Sequence, residues 1–404
     1  MNLLRYFVYK QESRDIWAKQ VLDLYQRKIS PKEIDNSVDG KAKDLNLLDR
    51  FKFFKYRYFL LSDLLFICHY GDKEKGASAL DDIIGFYGER YRRKLSVIYD
   101  AFYSGNIETF SKDFKELIPI YEIIRRNKNF QQQSMTKVMI TANMSAGKST
   151  LLNALAGRKV NKTQNDSCTA KIHYLFNKAG EDGLIYEWDH DLELDATNEI
   201  LMDDNENNET TEISVGARFR SVSEINKSIC FIDTPGVNSS MDRIHRQISD
   251  DAIENMKCNL LIYLFNGENI GSEDDVKHIE FVKDHYKGKI LFLVNRLDHF
   301  KKDADSIEET LSKVNADLKK IGFENPIVYP ISAYAAYLAK MKMYGESLSE
   351  DEEDDLAFCE RKLNREHFRY NEYYPSEINT EDGELQKLLL HSGILSLEHI
   401  IYDN

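Results

Sequence analysis

At 404 residues with 42% hydrophobic side chains, the chain has apolar material for two domains or one enlarged domain. Its formal net charge of −14 argues against a sequence-independent grip on nucleic acid or anionic lipid, both of which need lysine and arginine patches, while leaving room for a local one. Five cysteines, at 68, 168, 230, 258 and 359, form no C-x-x-C pair, which argues against a disulfide framework or a zinc site and fits a reducing compartment.

No stretch approaches the roughly 18 uninterrupted apolar residues of a membrane span. The opening "MNLLRYFVYKQESRD" lacks the apolar run and cleavage site of a signal peptide. A soluble, cytoplasmic protein is expected. Residues 1–133 read as helices, with apolar positions at helical spacing in "IWAKQVLDLYQRKI", "ALDDIIGFYGERYRRKLSVIYDAFY" and "FSKDFKELIPIYEIIRR". Short links between them suggest an all-helical bundle. Asp49 to Tyr70 mixes basic and aromatic residues; it reads as a buried bundle helix with snorkelling cations in preference to a membrane-surface helix.

From Thr136 the texture changes, and 134–404 reads as a second domain. The runs "KVMIT", "AKIHYLF", "LIYEW", "SICFID", "LLIYLFN", "ILFLVN" and "PIVYPIS" alternate with helical stretches such as "DRIHRQISDDAIENMK" and "SIEETLSKVNADLKKIG". That alternation predicts a mostly parallel sheet with helices on both faces. Residues 177–227, with the acidic, Asn-rich "DDNENNETTE", read as a solvated insertion. "SEDEEDD" from Ser349 reads as a helix start, since Ser349 and Glu352 have capping-box spacing.

The stretch "ITANMSAGKSTLLNALAG" carries the chemistry. A bare G-K-[ST] triplet is weak evidence, but here a β-rich run enters it and a helix closed by Gly157 leaves it. Backbone N–H groups of Ser145, Ala146, Gly147, Lys148, Ser149 and Thr150 can then cradle phosphate oxygens at a helix N-terminus. Lys148 would reach the β- and γ-phosphates and the Ser149 hydroxyl would ligate Mg²⁺. In "FIDTPG", Asp233 can hold Mg²⁺ through water, and Gly236 can offer its N–H to the γ-phosphate. "FLVNRLD" supplies Asn295, Arg296 and Asp298, whose carboxylate can accept the N1–H and 2-amino hydrogens of guanine. "YPISAYAA" follows, with Ser332 and an Ala333 N–H aimed at the guanine oxygen. Three hydroxyls, Thr163, Ser167 and Thr169, could supply the second Mg²⁺ ligand.

Together, "MSAGKSTLLNALAG", "DSCTAKIHYLF", "FIDTPGVNSS", "FLVNRLD" and "ISAYAAYLAK" resemble the GTPase domain of the dynamin superfamily, especially bacterial dynamin-like proteins. "HSGILSLEHII" resembles that domain's C-terminal helix, so the resemblance spans roughly 134–404. It implies an α/β P-loop GTPase fold, with GTP or GDP, Mg²⁺ and room for a monovalent cation. By its Cys-Thr-Ala pattern it selects Thr169 as the second metal hydroxyl, so that Lys148, Ser149, Thr169 and Gly236 carry the catalytic roles. It also implies a GTP-dependent homodimer, helical stalks and peripheral membrane association, with no nucleic acid partner. The chain stops where the family's GTPase domain hands over to a trunk, which leaves a longer protein and a short form both open.

Three positions depart from the pattern. Ala142 replaces the opening glycine of the loop, the mildest exchange if its φ stays negative. Arg296 replaces a lysine and can still cover one face of the base. Met144 stands where membrane-bending dynamins keep a water-positioning glutamine, and a thioether donates no hydrogen bond. Val237 fills the other usual place for such a glutamine. Two readings follow: hydrolysis slow in a monomer and completed by dimerisation, or a GTP-operated switch with little turnover. An ATPase on the same loop would make Asp298 a coincidence. Elsewhere, His173 and His190 read as strand or loop residues, not ligands, and Cys168 as a small switch residue.

Overall fold

A computed structural model describes residues 2–12, 16–29, 51, 53–108, 110, 112–143, 145–160, 171–206, 210–222, 225–236, 243–301, 306–376, 378, 380 and 382–402. The chain divides into two units, Met1–Gln132 and Gln133–Asn404.

The first unit is helical: α1 (Asn2–Glu12), α2 (Ile16–Ile29), α3 (Arg57–Cys68), α4 (Lys73–Tyr87), α5 (Arg92–Ser104) and α6 (Ile118–Gln131). Helix α3 buries Tyr58, Leu60, Leu61, Leu64, Leu65 and Ile67. Each fully buried leucine contributes about 2 kcal/mol, and only a helix at the centre of a bundle buries so many. It is a core helix, not a membrane-surface one. The long apolar run over 79–103 is two helices, because Gly88 takes a φ of 105° that continues neither. Among the described residues, no helix is long and apolar enough to cross a membrane.

The second unit is built on one sheet of β1 (Thr136–Ala142), β2 (Ile172–Asn177), β3 (Tyr186–Trp188), β4 (Leu192–Glu193), β5 (Glu212–Ala217), β6 (Ile229–Asp233), β7 (Leu260–Asn266), β8 (Ile290–Asn295) and β9 (Val328–Pro330). Their order is β4-β3-β5-β2-β6-β1-β7-β8-β9. Strands β6, β1, β7, β8 and β9 are mutually parallel, whereas β2 runs antiparallel to β6. Helices α7 (Lys148–Ala156), α8 (Asn198–Glu206), α9 (Arg243–Asn255), α10 (Glu273–His285), α11 (Ile307–Ile321), α12 (Ala333–Met343), α13 (Glu350–Leu363), α14 (Glu384–His391) and α15 (Ile394–Tyr402) complete the unit.

Strands β1, β6, β7 and β8 are buried almost end to end, as strands covered on both faces are. The chain leaves β1 toward β2 on one side, returns at β6, and crosses β1 to reach β7 on the other. This reversal opens a crevice at the carboxyl ends of the strands beside β1, where open α/β sheets bind ligands. The stretch read as a solvated insertion instead extends the sheet: β5 pairs in parallel with β2, β3 pairs with β5, β4 pairs with β3, and α8 ends within the acidic run. Ser349 and Glu352 form the reciprocal cap at the start of α13, with bonds of 2.9 and 3.2 Å.

Candidate functional site

Strand β1 delivers the loop 142–147 to the crevice. Ala142 is fully buried and keeps a negative φ, so its methyl group fits where a glycine was expected. Ser145, at φ 61°, and Gly147, at φ 92°, are both left-handed and turn the chain back into α7. A serine in that region is strained, and the Asn266 side chain holds it by donating to the Ser145 carbonyl at 3.3 Å. Gly147 caps α7 with no side-chain acceptor, which leaves the first-turn N–H groups directed into the crevice. A Cβ at Gly147 would lie 2.4 Å from Asn295 Nδ2, so no other residue fits there.

Lys148 and Asp233 meet across the strand pair β1–β6, where Ile140 and Asp233 are in register. The Lys148 ammonium pairs with Asp233 and also donates to the Thr234 carbonyl. A triphosphate with its cation would divide this pair, the ammonium turning to phosphate oxygens and the carboxylate to the metal. Thr234 is pinned through its hydroxyl to the Ile140 carbonyl at 3.2 Å, two residues before Gly236. Ser149 and Thr150 lie half-buried in the first turn of α7. A serine hydroxyl and a carboxylate are hard oxygen donors, a set that fits Mg²⁺. Thr169, Met144 and Val237, together with Thr163, Ser167 and Cys168, lie outside the described residues.

Asn295, at the end of β8, ties the two halves together. Its Nδ2 donates to the Ala146 carbonyl at 2.8 Å, and its Oδ1 accepts the Ala333 N–H at 3.0 Å. The Ala333 N–H, expected at the guanine oxygen, donates here to Asn295 and holds the loop. Ser332 caps α12 by accepting the Ala335 N–H. Asp298 is only 4% exposed. Burial pushes its carboxyl above the ordinary range, opposed by His299, a backbone N–H and the Ser332 hydroxyl. Arg296, left-handed at φ 65°, places a guanidinium group 3.4 Å from Glu268, which also meets His299 at 2.8 Å.

The run "LFNGEN" at the end of β7 was not singled out as a site in the sequence. Asn266 steadies the phosphate-side loop, Gly267 donates to the Asn295 carbonyl at 2.8 Å, and Glu268 steadies Arg296. A Cβ at Gly267 would stand 2.7 Å from that carbonyl. An Asn-Gly pair directly after an apolar strand was the available signal. Beneath the loop, the Asn143 amide donates to Asp275, whose carboxylate also accepts from the Tyr263 hydroxyl at 3.4 Å. Thr141 meets buried His278 at 2.9 Å. Burial holds the His278 imidazole down at about 4, with Arg246 adding to the effect.

A phosphate loop, a lysine–aspartate pair at adjacent strand ends and an asparagine clamp at the switch point define an α/β domain of the P-loop GTPase class, here with an all-helical N-terminal region. The model of the dynamin family matches residues 138–297, less than half of the chain. It is 30% identical over 116 residues to "Probable transmembrane GTPase FZO-like, chloroplastic" of Arabidopsis thaliana, covering 28% of this chain and 12% of that protein. It is 24% identical over 200 residues to "Dynamin-like protein A" of Bacillus subtilis, covering 48% of this chain and 16% of that one. The chain thus matches less than a fifth of the length of these relatives. A solved bacterial dynamin pair described in terms of membrane sensing and tethering aligns with 81% of this chain and 59% of its own, at 16% identity and a TM-score of 0.40.

Proposed function

We propose that this chain binds GTP with Mg²⁺ and hydrolyses it, and that turnover is slow in the monomer and rises when two GTPase domains associate. The observation that carries the reading is the Asn295 clamp, which holds the phosphate loop and the 332–333 loop around buried Asp298. Lys148, Gly147 and the first turn of α7 hold the phosphates; Ser149, Asp233 and Thr169 hold the cation; Gly236 faces the γ-phosphate. Arg296 covers the base and Asp298 reads its N1–H and 2-amino group. A monovalent cation accompanies the phosphates. Coupling to a membrane rests on the family and on the transmembrane GTPase among its relatives.

The switch reading is favoured by Met144 and Val237, which put no water-holding amide at either customary place. GTP turnover per molecule against protein concentration, in Mg²⁺ with K⁺ or Na⁺, separates the two, with Lys148→Ala as control. Specific activity that climbs with concentration supports hydrolysis completed across a dimer. A flat, very slow rate with tight GTP binding makes the chain a switch. ATP displacing labelled guanine nucleotide as well as GTP does would overturn both.

A further inference from the structure

At the opposite edge of the sheet from β9, three ligating side chains converge beside a fourth, buried carboxyl group. Glu187 lies on β3, Asp189 and His190 in the turn leading to β4, and Asp204 on α8. One ligand atom each of Asp189, His190 and Asp204 lies within 4.8 Å of the others. Glu187 is 2% exposed; its carboxyl group hydrogen-bonds Asp204 and faces Asp189 and Glu193, and its Oε1 has no hydrogen-bond partner. Buried carboxylate oxygens are rarely left so, because the lost hydration is not recovered. Lys171, also buried, reaches Asp189 Oδ2 at 3.0 Å, the Asp204 carbonyl at 2.6 Å and the Thr210 hydroxyl at 2.8 Å. One ammonium thus stands against the carboxylates of Asp189 and Asp204, the latter also hydrogen-bonded to the Glu187 carboxyl.

We propose that Asp189, His190 and Asp204, with the buried Glu187 carboxyl beside them, form a binding site for one divalent transition cation of the Mn²⁺ or Zn²⁺ class, which ties α8 to the β3–β4 turn. A divalent ion closes the charge deficit that Lys171 leaves. Ligand bonds of about 2.0–2.2 Å keep donors on a common ion within roughly 4.4 Å of one another, so shifts of a few tenths of an ångström complete the site. Carboxylates suit Mn²⁺ and an imidazole suits Zn²⁺, whereas Mg²⁺ keeps its waters and oxygen ligands. His190, with its side chain 48% exposed, gives the ion its way in. The sequence hid this site because Asp204 reaches it from a helix that ends within an acidic run that reads as solvated coil.

The site is independent of nucleotide, so the test uses the metal-stripped, nucleotide-free full chain. Titration with Mn²⁺, followed by the spin-resonance signal of the free ion, should show one ion bound per chain. His190→Ala and Asp204→Asn should each weaken it about tenfold or more, while Asp233→Asn leaves it unchanged. In thermal melts without metal, Asp204→Asn should match or exceed the parent, having lost a buried repulsion; with Mn²⁺ the order should reverse. No stoichiometric binding of Mn²⁺ or of Zn²⁺, equal affinity in both variants, or loss of binding through Asp233→Asn would each overturn the proposal.

Discussion

Two buried titratable side chains carry different burdens at the residue scale. Asp298 is held above its ordinary range mainly by burial, and a ligand that brings two N–H donors supplies what its carboxylate lacks. Asparagine keeps the shape but turns one acceptor into a donor, which faces the guanine 2-amino group and suits a base with a carbonyl there. Asp298→Asn should therefore lower GTP affinity by roughly 10³-fold or more while xanthosine triphosphate gains. Competition titrations read both, and equal losses would mean that Asp298 does not read the base. His278 acts through stability. Its imidazole ordinarily titrates at 6.5 and is held down at about 4 by burial. The unfolded chain therefore takes up the proton first, so the stability that neutral His278 contributes is complete above pH 6.5 and drains away as pH falls toward 4. The loss should approach about 3 kcal/mol. Urea unfolding across that range should show this slope, and His278→Gln should flatten it.

The element scale is decided by buried ion pairs and by how loudly each segment's pattern speaks. Lys340 on α12 is fully buried; it pairs with Glu398 on α15 and donates to the Arg220 carbonyl at 2.8 Å, while Ser221 donates to the same carboxylate. Lys340→Met would leave the Glu398 carboxylate buried without its cation, at a cost of about 3–5 kcal/mol. Lys340→Met combined with Glu398→Leu should recover most of that in denaturant unfolding. A double variant as unstable as the single one would show that packing, not charge, ties α12 to α15. The apolar strands and the capped helices were legible because their signals are local: β7 is seven residues of nearly unbroken apolar run, and Ser349 announces α13. Strand β5 was not, since "EISVGA" alternates burial over six residues and follows an Asn-rich run. Its place is set by pairing with β2, a long-range fact no local window contains. The Asn295–Ala333 bond is non-local in the same way: its partners stand 38 residues apart in the chain.

For the whole molecule, two separately closed cores matter more than any single contact. The first unit buries its own set of aliphatic and aromatic side chains from α1 to α6, and the second closes around β1, β6, β7 and β8. The change of texture near Thr136 was readable because helical periodicity gives way to short β-rich runs, close to where the units divide. Every residue assigned to phosphate, cation or base lies in 133–404, from the loop after β1 to the Ser332 cap. Domains with their own cores fold alone, so 133–404 expressed by itself should bind GDP within about threefold of the full chain and unfold in one cooperative transition. Calorimetry of the full chain should add a second transition from the helical unit. Should GDP affinity collapse in the shorter fragment, the N-terminal helices would have to support the site, and the division of labour argued from the two cores would fail. An unchanged affinity with a lost dependence of turnover on concentration would instead assign those helices to association, leaving the chemistry to the sheet.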